Sequence, residues 1–312
     1  MPTTTLRRPL FRRHPDDPLD LFGDGPPHWT INKDKLGERE SPSVREATHE
    51  RDASVFKLRW HGNHAANQTA TSLAALALAD KLDTCAPPRN PCLSGACPTC
   101  MRAQQRWFVQ DTMCVLGPRV RRGYRALVLS LVSEFGRIPA GSTNAFDIDR
   151  FYDSIRAALK ACGIEHYKLG LDISLNQRAG VAGPGFWQLQ LWGFFHEPKK
   201  LSRGQLKVLL NPNGSVTRPV KVVKPTSLEA AAAYGLKSTF VRRVSYRKAN
   251  LDREDRGQCW NTRGRILRGE AWVELMLFLD RIGLQRRLLL SGRTLSLPPL
   301  HSRNDLPPGG IK

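Results

Sequence analysis

Four of the chain's seven cysteines, Cys85, Cys92, Cys97 and Cys100, fall in one short stretch, CAPPRNPCLSGACPTC. Four thiolates at this spacing can close a tetrahedron around one Zn²⁺, with the tight Cys97-Pro-Thr-Cys100 pair as the knuckle. The other three, Cys114, Cys162 and Cys259, are scattered. A disulfide framework is the alternative. An odd count of seven and an N-terminus with no apolar core of the secretory kind argue instead for reduced thiols and a structural metal. A small metal-stapled element beside a cationic domain points toward nucleic acid.

The charge is unevenly placed. The 312 residues carry a formal net charge of +20, with a pI near 10.2. Residues 1–55 hold 9 Lys/Arg against 10 Asp/Glu, whereas residues 56–312 hold 39 against 18. The positive excess therefore belongs to the part expected to fold, and such a field attracts phosphate polyanions. No apolar run reaches the length of a membrane span, and the N-terminal arginines are followed at once by Asp16 and Asp17, unlike a transit peptide. The expectation is a cytoplasmic chain with no membrane partner.

Residues 1–54 are polar and poor in hydrophobic period, which predicts a disordered tail. Residues 55–117 read as a helical, Cys-rich zinc-knuckle region, with an Ala/Leu-rich helix over 65–82 and another helix carrying Trp107 and Phe108. Residues 118–240 alternate between strand and helix patterns. Strands are predicted over 123–132, 166–176, 185–195 and 218–224. Helices are predicted over 147–162, capped by Asp147 and stopped by Gly163, over 201–210, capped by Ser202, and over 226–237, capped by Thr226 or Ser227. The order strand, helix, strand, strand, helix, strand predicts an α+β fold with a ferredoxin-like βαββαβ core: one antiparallel sheet with helices on one side. Residues 241–295 read as a basic helical region and 296–312 as a loose tail.

Several motifs in this frame resemble those of the HUH endonucleases, the superfamily of rolling-circle replication initiators and related transposases. They are the Cys92-Leu-Ser-Gly-Ala-Cys97-Pro-Thr-Cys100 knuckle followed by MRAQQRW, the strand Leu127-Val-Leu-Ser-Leu131, the acidic strand around Asp172, the strand Trp187-Gln-Leu-Gln-Leu-Trp-Gly193, and the helix pattern Tyr234-Gly-Leu-Lys237. The resemblance covers about residues 85–240 and implies the same ferredoxin-like plan. It also implies site-specific DNA nicking and strand transfer: Tyr234 would be the nucleophile that forms a phosphotyrosine link, and Lys237, one helical turn on, would place a positive charge beside the phosphate. The chain departs from the family where two histidines are expected, having Gln190 and Trp192 instead. An indole offers no lone pair to a cation and an amide carbonyl offers a weak one. By strand alternation Asp172 and Gln190, with His196 further along, are what remains to hold Mn²⁺ or Mg²⁺.

The bland readings stand beside these. Tyr234 can be a half-buried residue at the rim of an Ala-rich helix, and Asp172 can pair with a basic neighbour. Trp187 and Trp192 fall on opposite faces of their strand, so one packs inside while Trp192 is the candidate for stacking on an unpaired base. The basic residues form three groups: Arg119, Arg121 and Arg122; Lys199, Lys200, Arg203, Lys221 and Lys224; and Arg242, Arg243, Arg247 and Lys248. One such run is usually a solvated face, whereas three around a candidate site suggest a phosphate track. The leading expectation is a DNA-binding, replication-initiator-like protein of plasmid type, with single-stranded or origin DNA as its partner. The alternatives are a non-catalytic DNA-binding regulator and an RNA-binding module.

Overall fold

The computed structural model describes residues 42–64, 69–87, 89–121, 126–178, 183, 185–196, 201–248 and 259–291. Residues 1–41 of the expected tail 1–54, and the loose segment 296–312, lie outside them. The chain is α+β. Seven strands form one mixed sheet, and helices pack on both of its faces.

The first departure from expectation comes at once. Val44–His64 is a helix (α1), so part of the stretch read as a disordered tail is helical. Its start is a capping box: Glu46 N–H donates to Ser43 Oγ while Ser43 N–H donates to Glu46 Oε2. Ala47, Val55 and Leu58 are buried and fix α1 against a second helix, Ala70–Asp83 (α2). The Ser-x-x-Glu signature was present in the sequence; the weak hydrophobic period beside it hid the helix. Beyond the cysteines runs Pro98–Arg121 (α3), with Pro98 just after Cys97, where the missing N–H has no cost.

The central run is Leu127–Pro139 (β1), Ile148–Ala161 (α4), Tyr167–Arg178 (β2), Phe186–Phe195 (β3), Arg203–Leu210 (α5), Val220–Val223 (β4) and Leu228–Gly235 (α6). Caps fall where the sequence put them. Asp147 Oδ1 accepts from Asp149 N and Arg150 N, Ser202 Oγ accepts from Gln205 N, and Ser227, rather than Thr226, caps α6. Gly163, at φ 72°, ends α4 in the left-handed region that glycine tolerates.

Two further corrections concern the rest of the sheet. The stretch read as a basic helical region contains Val241–Lys248 (β5), Cys259–Ile266 (β6) and Leu288–Leu290 (β7), with one helix, Gly269–Ile282 (α7). The sheet is accordingly not a pure antiparallel one. The order is β4-β1-β3-β2-β5-β6, β5 runs parallel to β2, and β7 pairs antiparallel with the other half of β2. Strand alternation separates two cores. Leu129, Leu131, Leu189 and Leu191 face α4, α5 and α7. Val128, Trp192 and Phe194 face α3 and α6, packing with Trp107, Phe108, Ala232 and Ala233. The helices occupy both sides because the charged-looking C-terminal half of the chain contributes α7 to one core and the α3–α6 pair closes the other.

Candidate functional site

The four-cysteine cluster forms where α2 ends and α3 begins. Cys85, Cys97 and Cys100 are buried and Cys92 is half-buried. The sulfur of Cys85 lies 3.5 Å from that of Cys100 and 3.6 Å from that of Cys97, and Cys92 lies 3.8 Å from Cys100. All four ligand atoms fall within 4.8 Å of one another. Sulfurs placed about 2.3 Å from a tetrahedral ion sit about 3.8 Å apart, and a disulfide would need about 2.05 Å, so the donor set fits a metal such as zinc. Supporting donors are present: Cys92 N–H points at Cys85 Sγ at 3.4 Å, and Thr99 Oγ1 lies 3.0 Å from Cys97 Sγ. At these separations each sulfur perturbs the ionisation of its neighbours. The contact from Cys100 pulls Cys85 far below the ordinary thiol range, and the same contact pushes Cys100 far above it. The cluster is tied to its surroundings by Arg51 of α1, which donates to Cys85 O at 2.6 Å, and by Leu284 N–H, just past α7, which donates to Leu93 O at 3.2 Å.

The second centre lies on the sheet face opposite α4, α5 and α7. Cross-strand pairing sets Asp172 beside Gln190, and Trp192 between Ser130 and Gly170. Helix α6 approaches this face so closely that a Cβ on Gly170 would lie 2.0 Å from Gly235 O. That approach brings the end of α6 onto the sheet. The Tyr234 ring sits 4.7 Å from the Trp192 ring, and the Lys237 ammonium lies 4.8 Å from the centre of the Tyr234 ring. Lys237 Nζ also forms an ion pair with Asp172 Oδ2 at 3.1 Å, with side chains only 6% and 4% exposed. Five of the residues singled out in the sequence, Asp172, Gln190, Trp192, Tyr234 and Lys237, thus meet in one place.

These residues do not fit a divalent cation. Asp172 spends one oxygen on Lys237 and the other on Ile173 N–H at 2.9 Å. Gln190 donates to Ser130 Oγ, and the Trp192 N–H is held by Ala231 O. His196 does not join them. It is exposed at the far end of β3, six residues from Gln190 or about 20 Å along a strand, beside His166. Trp187 lies on the opposite face as expected, fully buried, its N–H donating to Glu274 Oε2 at 2.9 Å.

A residue that sequence reasoning missed completes the centre. Arg287 is fully buried and donates to Leu171 O and Lys237 O, filling the gap along β2 between its β5-paired and β7-paired halves. Burial lowers its pKa from the ordinary arginine value to about 10, an effect opposed by the charge of Asp172. Nothing in the run Gln285-Arg-Arg-Leu288 distinguishes it from Arg286, which sits at the surface paired with Asp149. Only the packing separates them.

Of the basic residues, Arg203, Lys221 and Lys224 are exposed, and Arg242 and Arg243 are half-buried. Lys221 pairs with Ser130 and so shares the face of the Asp172 centre. Arg122, Lys199 and Lys200 lie outside the described residues, as do the side chains of Arg119, Arg121, Arg247 and Lys248. No described helix is long and apolar enough to cross a membrane. Compared with family models, with curated proteins and with solved structures, the chain shows no match.

Proposed function

We propose that this chain is a DNA-binding protein of the replication-initiator type, with zinc in the four-cysteine site as a structural clip, which grips DNA through its exposed cations and whose buried sheet-face centre supports the fold without metal-assisted cleavage. The observation that carries this reading is the buried Asp172–Lys237 ion pair. The resemblance to HUH endonucleases would put a metal on the β3 face, and here a lysine ammonium already neutralises the Asp172 carboxylate. The ferredoxin-like part of the reading is supported by the run β1-α4-β2-β3-α5-β4, whose strands pair antiparallel in the order β4-β1-β3-β2. The excess of cations supports the partner: if six to ten of them contact phosphates, affinity falls about 10³–10⁵-fold between 50 and 200 mM salt.

A second reading, nicking by Tyr234, is favoured by one specific contact, the Lys237 ammonium against the Tyr234 ring. One experiment separates the two. The protein is incubated with single-stranded and origin-like DNA, with and without Mn²⁺, and analysed for a covalent adduct. Salt-sensitive binding with no adduct is the expected result. An adduct lost in Tyr234→Phe would establish the nicking reading in its place. Absence of binding to any oligonucleotide at 50 mM salt would remove both, and tighter binding of RNA than DNA at matched salt would favour an RNA-binding module.

A further inference from the structure

Strands β5 and β6 form a two-stranded ribbon at the edge of the sheet. Eight rungs join them, from Val241 opposite Ile266 to Lys248 opposite Cys259. Only Val241–Ser245 also pairs with β2. The last three rungs therefore stand clear of the sheet, about 10 Å of ribbon at roughly 3.4 Å per residue. Among the described residues the outer edge of β6 is unpaired.

The charge on the two strands is one-sided, while residues 249–258 between them hold Asp252, Glu254 and Asp255 beside Arg253 and Arg256. The two strands, VRRVSYRK and CWNTRGRI, contain six arginines and lysines and no acid. Arg242 stands directly opposite Arg265 across the ladder, a like-charge pair that disfavours the hairpin unless an anion lies against it. Arg242 and Arg243 are half-buried and Arg265 is exposed, and none of the three has a carboxylate partner among the described residues. The Nε of Arg242 is buried with no hydrogen-bond partner there. Arg59, Arg156 and Arg286, by contrast, each reach an aspartate, and the buried Arg287 reaches two carbonyls.

We infer that the β5–β6 ribbon is a contact arm for duplex DNA that enters the major groove. The inference rests on the DNA-binding reading above and adds a second, separate surface and a form of DNA to it. A two-stranded ribbon fits the major groove of B-form DNA, about 12 Å wide, and the arginine fork suits both phosphates and the guanine edge. The deep, narrow major groove of A-form RNA does not admit it. The acid-free strands complement the phosphates that flank the groove, and the opposed Arg242 and Arg265 gain the counter-charge they lack.

The test uses the full chain and its R242Q/R243Q/R265Q variant, with folding checked by thermal melting. Binding is measured to a DNA duplex, to a single strand of the same sequence and to an RNA duplex over a salt series. The variant is expected to lose at least about tenfold in duplex affinity. The slope of log affinity against log salt should fall by about 2.7, or 0.9 for each phosphate contact removed, with single-strand binding kept to within a few-fold. A duplex whose cytosines carry glucosylated C5 groups, which fill the major groove, should bind at least tenfold more weakly, and a minor-groove ligand should leave binding unchanged. Equal duplex affinity for variant and parent, indifference to the glucosylated duplex, or equal binding of duplex RNA would each overturn the assignment. If the parent binds single strands but no duplex, only this inference fails; if it binds neither, the DNA-binding reading fails with it.

Discussion

The four-cysteine cluster and the Asp172 centre are both buried polar groups, and they deal with charge in opposite ways. The cluster gathers four ligand atoms of one kind, all within 4.8 Å of one another, and the nearest cation, Arg51, is bonded to the Cys85 carbonyl rather than to a sulfur. The Asp172 centre carries its own cations, Lys237 at 3.1 Å and Arg287 close behind. Burying uncompensated charge is costly, so the first arrangement calls for a cation from outside, whereas the second already sets two cations against its one carboxylate and has no use for another. Proximity of ligand types is therefore a poor guide to a metal site until the internal counter-charges have been counted.

The largest test of this contrast is metal removal. With zinc bound as proposed, the metal contributes on the order of 10 kcal/mol or more, comparable to the whole stability of a domain. Stripping it with a strong chelator, or replacing Cys97 and Cys100 with serine, should abolish the cooperative melt, and elemental analysis should find about one metal per chain. Adding Mn²⁺ or Mg²⁺ to the zinc-loaded protein should leave its melting temperature unaltered, because Lys237 already takes the cation's place at Asp172. A metal-free preparation that melts normally would dissolve the contrast.

Next in size is the ion pair. Asp172→Ala leaves Lys237 buried beside Arg287 with no anion and should cost about 3–5 kcal/mol in denaturant unfolding. The paired change Asp172→Leu with Lys237→Met should be much milder, because it removes both charges together. Equal losses in the two variants would mean that Lys237 reaches solvent and that the centre is not self-neutralised.

Smaller effects sharpen each side separately. Gly170→Ala forces a methyl into Gly235 O and should cost about 1–3 kcal/mol as α6 is pushed off the sheet. A gain of Tyr234 emission on separation from Trp192, taken as the difference from a Tyr234→Phe background, checks the displacement. Ser43→Ala removes the α1 cap and should cost about 1 kcal/mol. Because Arg51 of the same helix holds Cys85 O, that variant should also speed metal loss to a chelator.

How much of this was legible in the sequence depends on the range of the contacts involved. The helix caps at Asp147, Ser202 and Ser227 follow from residues two or three positions away, and the strands from alternation over a few residues. The capping box at Ser43 and Glu46 was equally local, and was overlooked because the surrounding stretch is so polar. The C-terminal strands were hidden for a different reason. β5 and β6 are rich in arginine, a composition that resembles an exposed helix until a partner strand is known. His196 was grouped with Asp172 and Gln190 by parity alone, which carries no information about distance along the strand.

The sequence by itself determined the metal-ready knuckle, because its four ligands lie within sixteen residues and short loops can bring them together in few ways. It also determined the cationic character of everything beyond residue 55. Only the tertiary structure decided that Lys237 would turn to Asp172, that Arg287 rather than Arg286 would be buried behind it, and that His196 would stand apart. Those outcomes depend on strand register and on helix α6 closing against Gly170, contacts between residues far apart in the chain whose energies no local pattern encodes.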